Sequence, residues 1–382
     1  MSEMSYLEKL LDGVEVEWLP LGEVSALRRG RVMSKGYLTE NFGPYPVYSS
    51  QTANNGKIGS INTFDFDGEY ISWTTDGANA GTVFYRTGKF SITNVCGLIT
   101  LKSKYPLIYK FLFYWLTIEA KKHVYSGMGN PKLMSHQVEN IPVPIPCPDN
   151  PEKSLAIQSE IVRILDKFTA LTAELTAELN MRKKQYNYYR DQLLSFKEGE
   201  VEWKTLGEVA VIGTGNHDTQ DAIEHGKYIF YARGREPLKL NVFDFDETAI
   251  ITAGDGAGVG KVFHYAKGKY ALHQRAYRIV PNAFMNPRFV YHYITAYFFT
   301  YIQKASVSSS VTSLRRPMFL KFPIPVPPSE EQARIVEILD KFDTLTNSIT
   351  EGLPREIELR QKQYEYYRDL LFSFPKPETV SN

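Results

Sequence analysis

Two stretches of this chain are near copies of each other, and each carries an apolar seam too long for an ordinary globular helix. The first runs from Gln158 to Phe196 (QSEIVRILDKFTALTAELTAELNMRKKQYNYYRDQLLSF), the second from Glu331 to Phe374 (EQARIVEILDKFDTLTNSITEGLPREIELRQKQYEYYRDLLFSF). In the first, Ile161, Ile164, Phe168, Leu171, Leu175 and Leu179 are followed by Tyr186, Tyr189, Leu193 and Phe196. Steps of three and four residues place these side chains on one helical face. About 40 residues without an internal proline make a rod of roughly 60 Å, and such a seam needs a partner to cover it.

The second copy supplies that partner. Its seam reads Ile335, Ile338, Phe342, Leu345, Ile349 and Leu353, then Tyr364, Tyr367, Leu371 and Phe374, with four additional residues from Pro354 to Ile357. Ser329 and the acidic residues after it are expected to cap this second rod. In the first copy, Leu171, Leu175 and Leu179 are spaced by successive fours, so the tandem TAEL reads as a four-residue insertion into a heptad pattern. An all-helical bundle is the competing arrangement. The stretches between the copies speak against it, because they do not read as helical.

The repetition extends beyond the helices. VEWLPLGEV at 16–24 returns as VEWKTLGEV at 201–209, and FDFD at 64–67 returns at 243–246. TTDGANAGTVF at 74–84 returns as TAGDGAGVGKVF at 252–263, and IPVPIP at 141–146 as FPIPVP at 322–327. The chain is therefore a duplication of roughly 180 residues, each unit a divergent segment followed by a long helix. LLDGVEVEW at 10–18 resembles the LLSFKEGEVEW that follows the first helix, so the N-terminal segment is expected to pack near the end of the second helix.

Within each divergent segment, β-branched and aromatic residues alternate between NNG, DG and TG turns, which predicts short strands. One helix-like run follows in each, Pro106–Lys122 and Pro287–Lys304, whose Tyr and Phe residues read as core. The Pro-rich IPVPIPCPDNP and FPIPVPPSEEQ read as extended connectors. The full expectation is an α+β protein, with two β-rich domains separated by two long antiparallel helices that form a coiled coil, pseudo-two-fold by internal duplication. Its parts are an N-terminal segment 1–24, a first domain 25–152, a helix 153–197, a second domain 198–328, a helix 329–375 and a flexible tail 376–382.

The net charge of +1 hides an uneven distribution. Residues 25–140 hold 13 Lys and Arg against 7 Asp and Glu, and residues 210–321 hold 14 against 8, a balance of +6 each time. The second helical copy, 329–374, has 6 against 10. Basic segments alternating with neutral or acidic rods are the electrostatic footprint of paired nucleic-acid-binding domains. With 382 residues and 43% apolar content, two or three domains are expected. No basic stretch leads into an apolar one, and no apolar run approaches 18 residues, which predicts a soluble cytoplasmic protein. Cys96 and Cys147 lack disulfide-framework or metal-ligand spacing.

Catalytic motifs do not emerge. TAGDGAGVGK at 252–261 fits neither GxxxxGK[ST] nor GxGxxG, and its counterpart DGANAGTV lacks the lysine, so a tight β-turn loop is the better reading. The seven histidines show no paired-ligand spacing, and no Ser, Cys or carboxylate pair sits in a catalytic signature.

Two divergent domains alternating with two repeated helices, each introduced by an IPxPxP connector and a QSEIVRILDKF-type start, resemble the specificity subunit of type I restriction-modification systems. The LDKFTALTAELTAEL run is similar to the type IC branch in particular. The resemblance implies a non-catalytic subunit that binds double-stranded DNA, each target recognition domain reading one half of a split site while the helices set the distance between halves. It also implies two adenine-methylating modification subunits and two ATP-dependent restriction subunits as partners. No cofactor is expected in this chain, with S-adenosylmethionine, ATP and Mg carried by those partners.

Polar and basic loop residues are the candidates for contacting phosphates and base edges. In the first domain these are Ser50, Gln51, Asn54, Asn55, Lys57, Asn79, Arg86, Asn130 and Lys132. In the second they are Arg233, Arg235, Lys261, His273, Gln274, Arg275, Arg315 and Arg316. Near the helix ends, Tyr186, Tyr188, Tyr189, Arg190, Tyr364, Tyr366, Tyr367 and Arg368 place aromatics on more faces than one helix can cover, so part of that surface is expected to bind the modification subunits. A coiled-coil adaptor without nucleic acid, or an enzyme with an unfamiliar active site, stays open from the residues alone.

Overall fold

A computed structural model describes residues 10, 13–127, 129–197, 199–256, 258–305, 314–348 and 350–375. The chain divides into two units, residues 1–174 with 358–382 and residues 175–357. They are built alike.

In the first unit, β1 (Val16–Pro20) leads into the turn α1 (Leu21–Val24) and β2 (Ser25–Arg29). The short helix α2 (Lys35–Glu40) follows, then β3 (Phe42–Tyr48), β4 (Lys57–Ile61), β5 (Phe66–Thr74), β6 (Val83–Ile92) and β7 (Cys96–Leu101). Helix α3 (Tyr109–Glu119), the turn α4 (Ser135–Val138) and β8 (Pro142–Pro146) complete the domain before helix α5 (Pro151–Leu193). The six-stranded sheet has the order β2-β7-β5-β6-β3-β4, antiparallel except for β3 beside β6. A bridge between Arg31 and Thr93 ties the chain beyond β2 to the end of β6, so the sheet curls back on itself.

The second unit repeats this plan. It contains β9 (Glu202–Thr205), the turn α6 (Leu206–Val209), β10 (Ala210–Thr214), β11 (Tyr228–Tyr231), β12 (Leu238–Leu240), β13 (Phe245–Ala253), β14 (Phe263–Leu272) and β15 (Ala276–Pro281). Helix α7 (Pro287–Ala305), the turn α8 (Arg316–Leu320), β16 (Pro323–Val326) and helices α9 (Ser329–Asn347) and α10 (Leu353–Leu371) follow. The sheet order β10-β15-β13-β14-β11-β12 matches the first strand for strand, and His217 bridged to His273 repeats the closure.

The connectors are strands rather than free extended segments. Pro142, Pro144 and Pro146 alternate with Val143 and Ile145 in β8, which pairs antiparallel with β1; Pro323 and Pro325 do the same in β16 against β9. A strand paired on one side needs a donor only at every second residue, so proline fits the intervening positions.

Each long helix begins with a lock on its own domain. Buried Gln158 donates to Pro106 O (2.7 Å) and accepts from Ile108 N (2.9 Å); buried Gln332 donates to Phe284 O (3.3 Å) and accepts from Asn286 N (2.6 Å). Two turns on, Asp166 takes Lys110 (2.6 Å) and the Tyr114 hydroxyl (2.7 Å), whereas Asp340 takes Arg288 and His292 (2.7 Å). Burial would raise the Asp340 carboxyl, but the bonds from His292 and Arg288 outweigh it and hold it below the usual range. Ile161 with Leu165, and Ile335 with Leu339, are buried beside these locks, while Phe168 and Phe342 are half-buried and Leu171 is exposed. The expected seam is thus buried chiefly where the helices meet their domains.

Pairing of the helices is antiparallel. In the first unit Phe168, early in α5, stacks on Tyr367, late in α10 (5.3 Å); in the second, Tyr189, late in α5, stacks on Phe342 of α9 (5.6 Å). In the first unit, too, Trp18 Nε1 donates to Pro375 O (2.9 Å), and Val14 shares a core with Leu371, Phe372 and Phe374.

Two expectations for the second helix are corrected. The single rod over 329–375 is two helices, α9 and α10, because the chain leaves helical geometry at Ser348 and Gly352 has φ +83°. A Cβ at Gly352 would lie 2.3 Å from Thr344 O, so glycine is required there. The cap of α9 is Pro328, with Ser329 already helical. Ile349, residues 376–382 and residues 1–9 lie outside the described residues.

Candidate nucleic-acid interface

Four loops meet at the end of the first sheet where β5 gives way to β6. Leu133 N donates to Thr75 O (2.8 Å), Gly77 N to Pro131 O (3.0 Å), Thr75 N to Val95 O (3.2 Å), Thr93 N to Tyr48 O (2.9 Å) and Asn79 Nδ2 to Ser50 O (3.5 Å). The second domain repeats this frame: Leu314 N to Gly254 O (2.7 Å), Gly254 N to Arg275 O (2.8 Å) and His273 N to Tyr231 O (3.0 Å). The backbone thus builds the same platform twice. Side chains standing at equivalent positions differ.

Eight of the first-domain candidates lie in or beside these loops, partly or fully exposed: Ser50, Gln51, Asn54, Asn55, Lys57, Asn79, Asn130 and Lys132. Asn54 and Asn55 adopt φ of +50° and +55°, a left-handed conformation that asparagine tolerates better than most residues. Gln51 is turned inward to the Lys57 carbonyl (2.6 Å). Arg86 is corrected: at 2% exposure it is a brace and not a contact surface. It donates to Ser72 Oγ (3.0 Å) and Asn55 O (2.8 Å) and lies 3.6 Å above the Tyr48 ring, holding the 51–56 loop from below. Burial pulls its guanidinium down to about 10, which leaves it charged at neutral pH.

In the second domain, Arg233, Arg235, Lys261, Gln274, Arg275, Arg315 and Arg316 are partly or fully exposed. His273 is the second correction, at 1% exposure. Its Nδ1 accepts from Arg275 N (2.9 Å), and burial followed by the charge of Arg233 holds the imidazole below its ordinary value despite Asp218. Asp255, absent from the sequence-derived candidates, bonds both Arg233 (2.9 Å) and Arg275 (3.2 Å). Its alignment with Asp76 in the repeated DG turns was the available signal. Beside it opens a cleft of about 510 Å³ lined by Thr219, Arg233, Gly234, Arg235, Gly256 and Gly258 among others.

The first Asp of each FDFD motif secures this platform. Asp65 pairs with Arg31 (3.0 Å), and Asp244 with His217 Nε2 (3.0 Å), which fastens the segment after β2 or β10. Among the described residues no group of three or more His, Cys, Asp or Glu is gathered for a metal. No described helix is long and apolar enough to cross a membrane.

Comparison with known proteins places the chain. The family described as Type I restriction modification DNA specificity domain matches twice, over residues 13–182 and 198–359. The chain belongs to this family.

Its relatives include the type I restriction enzyme EcoR124I/EcoR124II specificity subunit of Escherichia coli, 44% identical with all of both chains covered. The EcoprrI specificity subunit of the same species is 40% identical, covering 92% of this chain and 93% of that one. A type I restriction-modification S subunit from M. genitalium has the same fold at 17% identity, with a TM-score of 0.68, 96% of this chain and 98% of that chain covered.

On this specificity subunit the helix-end candidates divide into three sets. Tyr186 and Tyr189 face Phe342, while Tyr364 and Tyr367 face Tyr114 and Phe168, so these four belong at least in part to the intramolecular seam. Arg190 and Arg368 are turned to Asp191 (2.7 Å) and Asp369 (2.8 Å). Tyr188 and Tyr366 point outward at 62% and 58% exposure, each edge-on to its neighbouring tyrosine.

Proposed function

We propose that this chain is the non-catalytic DNA-reading subunit of a type I restriction-modification complex, in which the domain at 25–152 reads one half of a bipartite site and the domain at 198–328 the other. The observation that carries this reading is the duplicated platform: one backbone frame, made twice, with different polar side chains at equivalent positions. Exposed lysines and arginines supply salt-dependent affinity for phosphates, and the loop residues discriminate base edges.

The helices hold the spacing between half-sites, and Tyr188 and Tyr366 anchor two modification subunits. Those subunits bind S-adenosylmethionine and methylate adenine; two restriction subunits bring ATP, Mg and cleavage. The complex works in the cytoplasm. Co-purification with its modification subunits tests this. The complex is expected to bind a split-site duplex and transfer methyl groups to adenine, while the chain alone transfers none; methyl transfer by the isolated chain, or a complex indifferent to duplex sequence, would overturn the reading.

A further inference from the structure

We propose that Arg275, with Arg233 beside it, reads a guanine in the half-site bound by the second domain. This rests on the DNA-reading function proposed above. Asp255 gives one oxygen to each arginine, Oδ1 to Arg233 and Oδ2 to Arg275. The side chains stay accessible, 40% and 63% exposed. Each guanidinium has five N–H donors in a fixed fork, so one bond to Asp255 leaves donors for a second ligand.

Guanine alone presents two adjacent acceptors, O6 and N7, on the major-groove edge, and a forked pair of N–H donors meets both. A braced arginine loses less rotamer freedom on binding than a free one. Phosphate is the rival ligand, and the carboxylate argues against it: Asp255 is held ionised by its two arginines against the effect of burial, and its negative charge would repel a phosphate while leaving an uncharged base edge unopposed. Asp255 also borders a second cleft of about 240 Å³ with Gln274, Arg275, Tyr277 and Leu314, so the pair stands where two openings meet.

In the first domain the same backbone positions carry Ser50 and Val95, and Asp76 accepts instead from the Thr75 hydroxyl (2.5 Å). Among the described residues, the device is found in the second domain.

The test uses the full chain with its modification subunits. The methylated site is read by long-read sequencing, the half belonging to the second domain is fixed by exchanging residues 25–140, and binding is measured to duplexes substituted one pair at a time. The second half-site is expected to contain a G·C pair whose replacement weakens wild-type binding by about 10- to 100-fold. Arg275→Lys, which keeps the charge and loses the fork, is expected to abolish that discrimination while leaving the salt dependence unchanged. First-half discrimination by the same variant shows that it is folded and assembled. A second half-site without a G·C pair, or undiminished discrimination by Arg275→Lys, overturns the proposal, as does an Arg275→Ala variant that weakens all duplexes alike with a shallower salt dependence. A wild-type complex that binds no duplex would instead refute the DNA-reading function.

Discussion

The two β-rich domains share their strand order, parallel β3/β6 and β11/β14 pairs and loop-to-loop bonds, yet they place charge within the sheet differently. In the first, Arg86 sits on β6 among Ser72, Tyr48 and Phe84. The register puts Ala266 and Ile251 of the second domain at the positions of Arg86 and Ser72. There the charge lies elsewhere: Arg278 on β15 pairs with Glu247 on β13 (2.8 Å), and the Tyr270 hydroxyl donates to the same carboxylate (2.8 Å). At those positions the first domain has Leu98 and Gly68, beside a cluster of Phe90, Ile92 and Cys96. Backbone pairing therefore defines the frame, and each domain places its polar insert at a different point of the sheet.

The sharpest way to break this comparison is to exchange residues 25–140 for the same segment of a relative. Recognition of the original first half-site is expected to vanish while the second half is unchanged, and mapped methylation in which both halves change would show that the domains do not read independently. Next in size is the spacer. One more TAEL after Leu179 lengthens a continuous helix by about 6 Å, which corresponds to one to two base pairs at about 3.4 Å each. The added residues turn the helix by about 40° beyond a full turn, close to the roughly 34–36° twist of one base pair. The methylated site is expected to gain one spacer pair with both halves retained, and methylation at the original spacing only would rule the ruler out.

Within one domain, Arg86→Ala is expected to cost about 2–4 kcal/mol through its lost charged hydrogen bonds and packing. Hydrogen exchange should rise across residues 51–57 and 83–92 and stay unchanged across 228–272. A rise in both domains would show that their stabilities are coupled. The smallest effect is expected at the helix ends, where Tyr188→Ala and Tyr366→Ala each weaken capture of a modification subunit by about 1–2 kcal/mol. Unchanged capture in a pull-down, with the chain still folded, would remove these tyrosines as anchors.

Much of the architecture was legible because a seam at helical spacing, repeated with its flanking motifs, leaves few alternatives. The Pro-rich strands were missed because proline is depleted from strands in general, and only the pairing partner reveals that every second donor is dispensable. The helix break was missed because Pro354–Ile357 read as an insertion within a rod and Gly352 passed unremarked, whereas the left-handed glycine stands between the two helices and the proline fits the first turn of the second. In the candidate site, exposure was the quantity the sequence withheld. Arg86 and Arg275 are the same residue type in similar polar surroundings, yet one braces a loop from inside and the other stands at a cleft. Asp255 went unnoticed because an acidic residue does not suggest a DNA surface until it is seen holding two arginines.

The pairing of β1 with β8, and of β9 with β16, makes each domain a replaceable part. The chain from Leu21 to Ile141 leaves and re-enters through one short two-stranded clasp, in which Pro20 lies opposite Pro142. The clasp strands of the two units are similar in sequence, VEWLP with PVPIP in one and EWKT with PIPV in the other, so each clasp bounds a closed domain that can be exchanged with the clasp itself left intact. A different recognition surface can thus be set between the same two strands without a new fold or a new way of joining the helices.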